Sequence, residues 1–142
     1  MQTRIEALYK LSQSKFRSSF HLKEKDKLYV EEKGMDVIRR HACDFVRNKL
    51  ADSYPKNDGK QTPMKGHPVF IAMHACACCC RGCLNRWYHV EKGIPLTGVQ
   101  QEKIVNLLML WIENEMMLGT GENRQKESSE NRHFQSIKNN QS

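Results

Sequence analysis

No segment of this 142-residue chain alternates apolar and polar residues for long enough to make a strand, and nothing in it repeats. A sheet-based fold is therefore not expected. The opening M-Q-T-R-I-E-A-L-Y-K mixes charge throughout and lacks the apolar core of a secretory leader. The most apolar run, Val69 to Cys80, is too short to span a bilayer and is followed at once by Arg81. No membrane segment is expected. The chain reads as cytoplasmic, where thiols stay reduced. A Walker loop and an H-E-x-x-H motif are both missing, so no motif of established mechanism marks an enzyme. Also missing is a second, distant C-x-x-C, which would have been a strong signature of a zinc site.

What the chain does have is cysteine in one place. Five of its six cysteines fall within eight residues: Cys76, Cys78, Cys79, Cys80 and Cys83. Cysteines this close rarely meet disulfide geometry. Reduced thiols, or thiolates on a metal, are the expectation. The competing reading treats them as small hydrophobes in a core, since free cysteine is among the most buried residue types.

Charge is uneven. The formal net charge is +7, and residues 1–66 hold 15 Lys/Arg against 9 Asp/Glu. Residues 67–118 balance at 4 against 4. A basic excess confined to the N-terminal half can attract nucleic acid or another polyanion. The alternative is a solvated lysine-rich surface.

The coarse pattern is all-α: a small single-domain helical bundle around a central His/Cys-rich helix. Residues 1–15 read as an N-terminal extension with a short helix through Ile5, Leu8 and Leu11, 16–118 as the helical domain, and 119–142 as a disordered polar tail. The charged stretch Lys23 to Lys33 ends at Gly34, a helix stop. A helix follows from Met35 to Leu50, with Ile38, Ala42, Phe45 and Val46 as its buried stripe. The next sixteen residues are rich in Pro, Gly, Asn and Asp, which is loop chemistry. Pro68 then fits the first position of a helix running to Trp87 or Tyr88. Thr97 and Gln100 form a capping box for a last helix over Gly98–Met117, burying Ile104, Leu107, Leu108, Trp111 and Ile112.

On one continuous Pro68–Trp87 helix, Cys76, Cys79, Cys80 and Cys83 share a side with Val69 and Met73. His74, Cys78 and Arg81 fall on the other, with His67 at the helix entrance. Cys76/Cys80 and Cys79/Cys83 are then i,i+4 pairs that can chelate a metal, and Cys80–Cys83 is a C-x-x-C. Four cysteines on one straight helix cannot surround a tetrahedral Zn²⁺, whose Zn–S bonds are about 2.3 Å. A further ligand must come from elsewhere, with His41, Cys43 and His89 as candidates. On the other side, His67, His74 and Arg81 beneath Lys60 and Lys65 describe an anion or phosphate site. The competing reading makes His67 a loop or cap residue, His74 a satisfied core histidine, Arg81 the partner of a carboxylate such as Glu113, and His41 a core histidine.

Several segments carry a resemblance: F-R-S-S-F-H-L, D-G-K-Q-T-P-M-K-G-H-P-V-F-I-A-M-H-A, C-C-R-G-C-L-N-R-W, K-G-I-P-L-T and L-L-M-L-W-I. Over residues 16–117 the chain resembles the bacterial proteins grouped as domain of unknown function 4186. The resemblance implies motif positions at Asp58–Gly66, His67, His74, Cys79, Cys80, Arg81, Cys83 and Trp87. It marks Cys76 and Cys78 as departures and singles out Cys79, Cys80 and Cys83. It implies no activity.

The expected function is a small basic intracellular binding protein, metal-stabilised through Cys79, Cys80, Cys83 and His41. Its partner would be nucleic acid or another phosphate-bearing molecule, held by Lys60, Lys65 and Arg81. Zinc is the expected metal, an iron–sulfur cluster comes second, and packing without metal is the alternative. One competing function is an enzyme, with His67, His74 and Arg81 acting on a phosphate ester, or with Cys80 or Cys83 as a thiolate activated by Arg81. The other is an interaction module, an inhibitor or adaptor for an acidic protein. A homodimer is compatible with so few, apolar helices.

Overall fold

The computed structural model describes residues 3–118. The expected tail over 119–142 lies outside them. Within them are six α-helices and no strand. They are α1 (Arg4–Gln13), α2 (Glu24–Lys33), α3 (Met35–Lys49), α4 (Pro68–Ala75), α5 (Arg81–Tyr88) and α6 (Gly98–Met117), with a short 3₁₀ turn at Arg17–Ser19 after α1.

The main packing partners are α3 and α6, with α4 laid against α6. Ile38, Ala42 and Val46, four residues apart, are fully buried on α3, and Ile104, Leu108 and Ile112 face them from α6. Trp111 is only half-buried, whereas Val105, Met109 and Glu115 are inside. The Glu115 carboxylate accepts from the Leu22 amide at 2.8 Å and lies 3.1 Å from His21 Nδ1, fastening the lead-in to α2 onto α6. α1 also shares the core, through Ala7 and Leu11 rather than the exposed Ile5.

Two helix boundaries follow from local chemistry. α2 stops at Gly34, whose φ of 86° suits glycine. α6 opens on the reciprocal Thr97–Gln100 box: the Gln100 amide donates to Thr97 Oγ1 at 3.0 Å, and the Thr97 amide to Gln100 Oε1 at 2.9 Å.

The expected continuous helix over Pro68–Trp87 is corrected. α4 ends at Ala75 and α5 begins at Arg81. The terminator is a Schellman motif: the Cys78 amide donates to the Met73 carbonyl at 2.8 Å and the Ala77 amide to the His74 carbonyl at 3.3 Å. Its left-handed residue is Ala77, at φ 57°, where glycine is usual. Carbonyls released by the break are taken up: Tyr88 Oη donates to Cys76 O, Thr62 Oγ1 to Cys79 O at 2.8 Å, and Arg17 to His74 O at 2.7 Å. The apparent two-sided cysteine helix is therefore a bend flanked by two short helices.

The loop from Ala51 to Gly66 folds over this bend. Gln61 spans it, with its Oε1 accepting from the Gly59 amide at 2.7 Å and its Nε2 donating to Asp58 Oδ1 at 2.9 Å. Asp58 Oδ1 in turn accepts from the Arg81 amide at 3.0 Å.

α5 also ends on a left-handed non-glycine, the exposed His89 at φ 59°. Replacing His89 with Gly removes that strain without loss of packing. It should stabilise the fold by about 0.5–1 kcal/mol, read as a raised denaturant midpoint at unchanged m-value.

Candidate metal centre

The bend decides where each sulfur goes. Cys80 is the N-cap of α5, with an extended backbone, and its Sγ accepts from the Cys83 amide at 3.4 Å. Cys79 lies just outside the helix and Cys83 in its first turn. Their sulfurs approach to 3.6 Å. The Sγ atoms of Cys79, Cys80 and Cys83 all lie within 4.8 Å of one another, close enough to hold one metal ion. Cys76 and Cys78 are fully buried elsewhere in the core, and burial pushes both thiols up.

Beside this cluster stands a residue to which sequence reading gave no role. Arg17, on the 3₁₀ turn, is only 7% exposed. Its NH2 lies 3.2 Å from Cys83 Sγ, and its NH1 3.8 Å from Cys79 Sγ and 2.7 Å from the His74 carbonyl. The guanidinium also sits over the Phe16 and Trp87 rings, 5.0 and 6.0 Å from their centroids. Nothing but the motif F-R-S-S-F distinguished it from the other basic residues of the N-terminal half.

Electrostatics follow this geometry. The hydrogen bond with Cys83, together with the Arg17 guanidinium, lowers the Cys79 thiol to about 7 against the opposing effect of burial. Cys83 is pushed up, first by that same hydrogen bond and then by burial. Burial also raises Cys80. For Arg17, burial works against the charge, but the bonds to Cys83 and Cys79 outweigh it and the pKa rises. The expected activation of Cys80 or Cys83 by Arg81 is thus corrected. The depressed thiol is Cys79, and its cation is Arg17.

A family model described as Domain of unknown function (DUF4186) matches residues 6–113. The chain belongs to this family. No solved structure matches it. Membership brings no activity with it, so any function must be argued from the site.

The other expected site residues are dispersed. Arg81 is 1% exposed, and its NH1 and NH2 donate to four carbonyls: Leu50 at 3.1 Å, Asp52 at 2.6 Å, Glu91 at 2.8 Å and Ile94 at 2.7 Å. It binds main chain rather than Glu113, with both NH1 and NH2 committed to carbonyls. His74 Nε2 lies 3.0 and 3.1 Å from the Thr62 and Pro63 carbonyls, which makes it the donor, and the ring stacks on Phe20. Lys60 and Lys65 are exposed on the loop. His41 does not reach the sulfurs. Its Nδ1 meets His67 Nε2 at 2.9 Å, in a cluster with Tyr29 and Phe45. Cys43 and His89 are exposed and also stand outside the thiol group.

His67 caps α4: its Nδ1 accepts from the Val69 amide at 3.0 Å. That fixes the neutral tautomer, with the proton on Nε2 pointing at His41. Burial, then the neighbouring His41, lowers His67 to about 4, with Asp26 opposing. An unfolded histidine titrates near 6.5, so below that pH the unfolded state binds a proton that the folded state refuses. The contribution of His67 to stability is complete above pH 6.5 and lost as pH falls toward 4. His67→Asn keeps a capping side chain and removes the titration. Denaturation midpoints measured from pH 7 to 4 should fall less steeply for this variant than for the parent.

Proposed function

We propose that this domain is a small helical metal-binding protein in which Cys79, Cys80 and Cys83 hold one soft cation of the class of Zn²⁺. The observation that carries the reading is the convergence of the three sulfurs within 4.8 Å. Tetrahedral Zn–S bonds of about 2.3 Å set sulfurs about 3.8 Å apart, close to the spacing of Cys79 and Cys83. A four-iron–four-sulfur cluster fits less well, because each of its cysteines ligates a separate iron. Three thiolates on a dication leave one negative charge, and Arg17 is the buried cation that balances it. Among the described residues no fourth His, Cys, Asp or Glu joins the group, so the last position falls to water or an incoming ligand. The acid–base reading of His67 and His74 finds no support in this geometry, since their ring nitrogens are engaged in capping and carbonyl contacts.

Anaerobically purified protein should carry one equivalent of zinc by elemental analysis. Replacing Cys79, Cys80 or Cys83 with Ser should each weaken metal binding by about tenfold or more, while Cys43→Ser leaves it unchanged. Titration with Co²⁺ gives an independent readout through its thiolate charge-transfer absorption. No uptake of either metal by the parent protein would remove the reading.

A second reading concerns a phosphate-bearing partner, nucleic acid first. It is favoured by the loop carrying exposed Lys60 and Lys65, which Asp58 and Thr62 fasten to the cysteine bend. Arg81 is not part of this surface. Contact through the two lysines alone predicts a log–log salt slope of about −1.8 on duplex DNA. Affinity that is unchanged between low and high salt, or unchanged in the Lys60→Gln/Lys65→Gln double variant, contradicts it.

A further inference from the structure

We infer that Cys79 and Cys83 form a reversible dithiol–disulfide couple whose oxidant is a hydroperoxide, and that the disulfide and the metal are alternative states of the same sulfurs. The second half of this inference rests on the metal reading above; the first does not.

The C-x-x-C spacing draws attention to Cys80 and Cys83, whose side chains do interact, but the sulfurs at contact distance are those of Cys79 and Cys83. Their sulfurs are already in van der Waals contact at 3.6 Å. Cys80, between them, is turned to cap α5 and accepts the Cys83 amide. On a continuous helix Cys79 and Cys83 would be held one turn apart by the backbone. Here Cys79 precedes the helix, and the extended Cys80 lets its side chain fold back over the first turn. Closing the gap to an S–S bond of about 2.05 Å needs side-chain rotation and a local shift of this bend.

The surroundings suit the chemistry. Cys83 is part-exposed, and two nitrogens of one guanidinium contact the two sulfurs. Arg17 can therefore orient Cys79 and help the departing oxygen carry its charge. In the first step the Cys79 sulfur attacks one peroxide oxygen. An S–O bond forms, the O–O bond breaks, and the other oxygen leaves as an alcohol, or as water when the oxidant is H₂O₂, taking up a proton. In the second step the Cys83 sulfur attacks the sulfenic sulfur. The S–S bond forms, the S–O bond breaks, and water leaves with the Cys83 proton. Two thiols have given up two electrons and one hydroperoxide has received them; an external thiol reverses the change. The disulfide is uncharged and leaves only Cys80 of the three ligands, so a bound metal must be released. Arg17 then retains the His74 carbonyl as its polar anchor.

The test uses the reduced, metal-free full chain and H₂O₂. Trypsin cuts after Lys65, Arg81 and Arg86, which separates Cys83 (peptide 82–86) from Cys79 (peptide 66–81). After alkylation of free thiols, the two peptides should appear joined, about 2 Da below their summed mass. Fragment ions should place the bridge at Cys79, and dithiothreitol should abolish it. Cys80→Ser should still form the bridge. Zinc-loaded protein given the same peroxide should release its zinc in step with formation of the bridge. A bridge to Cys80 or Cys78, or oxidation that stops at sulfinic acid, overturns the couple. A bridge that forms while the zinc stays bound overturns the exclusivity. Protein that takes up no zinc but forms the bridge removes the metal reading and its link to release while leaving the couple intact. Protein that takes up zinc and never bridges does the reverse.

Discussion

Arg81 reaches four carbonyl oxygens drawn from both ends of the molecule's irregular backbone: Leu50 and Asp52 where α3 gives way to the long loop, and Glu91 and Ile94 between α5 and α6. The guanidinium is out of water, and its Nε has no partner. Burial lowers its pKa, with Asp58 and Asp52 opposing. A cation enclosed this way persists because the carbonyl dipoles replace its hydration, and because those carbonyls would otherwise be buried unpaired. The side chain projects to this point from the first residue of a new helix, with its own amide held by Asp58. The break before α5, and with it the geometry of the three sulfurs, rests on that anchorage.

A second buried arginine approaches the same bend from the other side and meets a different chemistry. Arg81 donates to neutral carbonyls and burial outweighs the nearby Asp58 and Asp52, whereas Arg17 faces sulfur, and the two pKa values move in opposite directions accordingly. The negative charge of the site therefore belongs on the Arg17 side, at Cys79. This also explains why a sequence with five neighbouring cysteines presents only three of them together. Cys76 and Cys78 sit where the Schellman turn tucks them into the core, and there burial outweighs the favourable field of Arg17.

Much of the fold was legible in the residues. The stripe Ile38, Ala42 and Val46, the stop at Gly34 and the Thr97–Gln100 box each have a local cause, and each occurs where the chemistry places it. The end of α4 was not legible, because its left-handed turn is made by Ala77 where a glycine would have signalled it. With the break unseen, helical phase was carried from Pro68 through to Trp87, which put His74 and Arg81 on a shared polar face that does not exist. The trio Cys79, Cys80 and Cys83 was singled out through the family resemblance rather than through phase. Arg17 escaped notice because one arginine in a basic segment carries no periodicity; only its burial distinguishes it.

The partners of the bend are far away along the chain: 57 residues separate Arg17 from His74, 66 separate it from Cys83, and 31 separate Arg81 from Leu50. The helices themselves close through local bonds and can form early, but these clasps can close only after the chain has collapsed around α3 and α6. The sulfur cluster is thus held by long-range clasps, each of which closes a loop of tens of residues. During synthesis, a chain emerging from the ribosome carries five unclasped cysteines until the end of α6 is released. For that interval its thiols belong to the chemistry of an unfolded peptide rather than to that of the finished site.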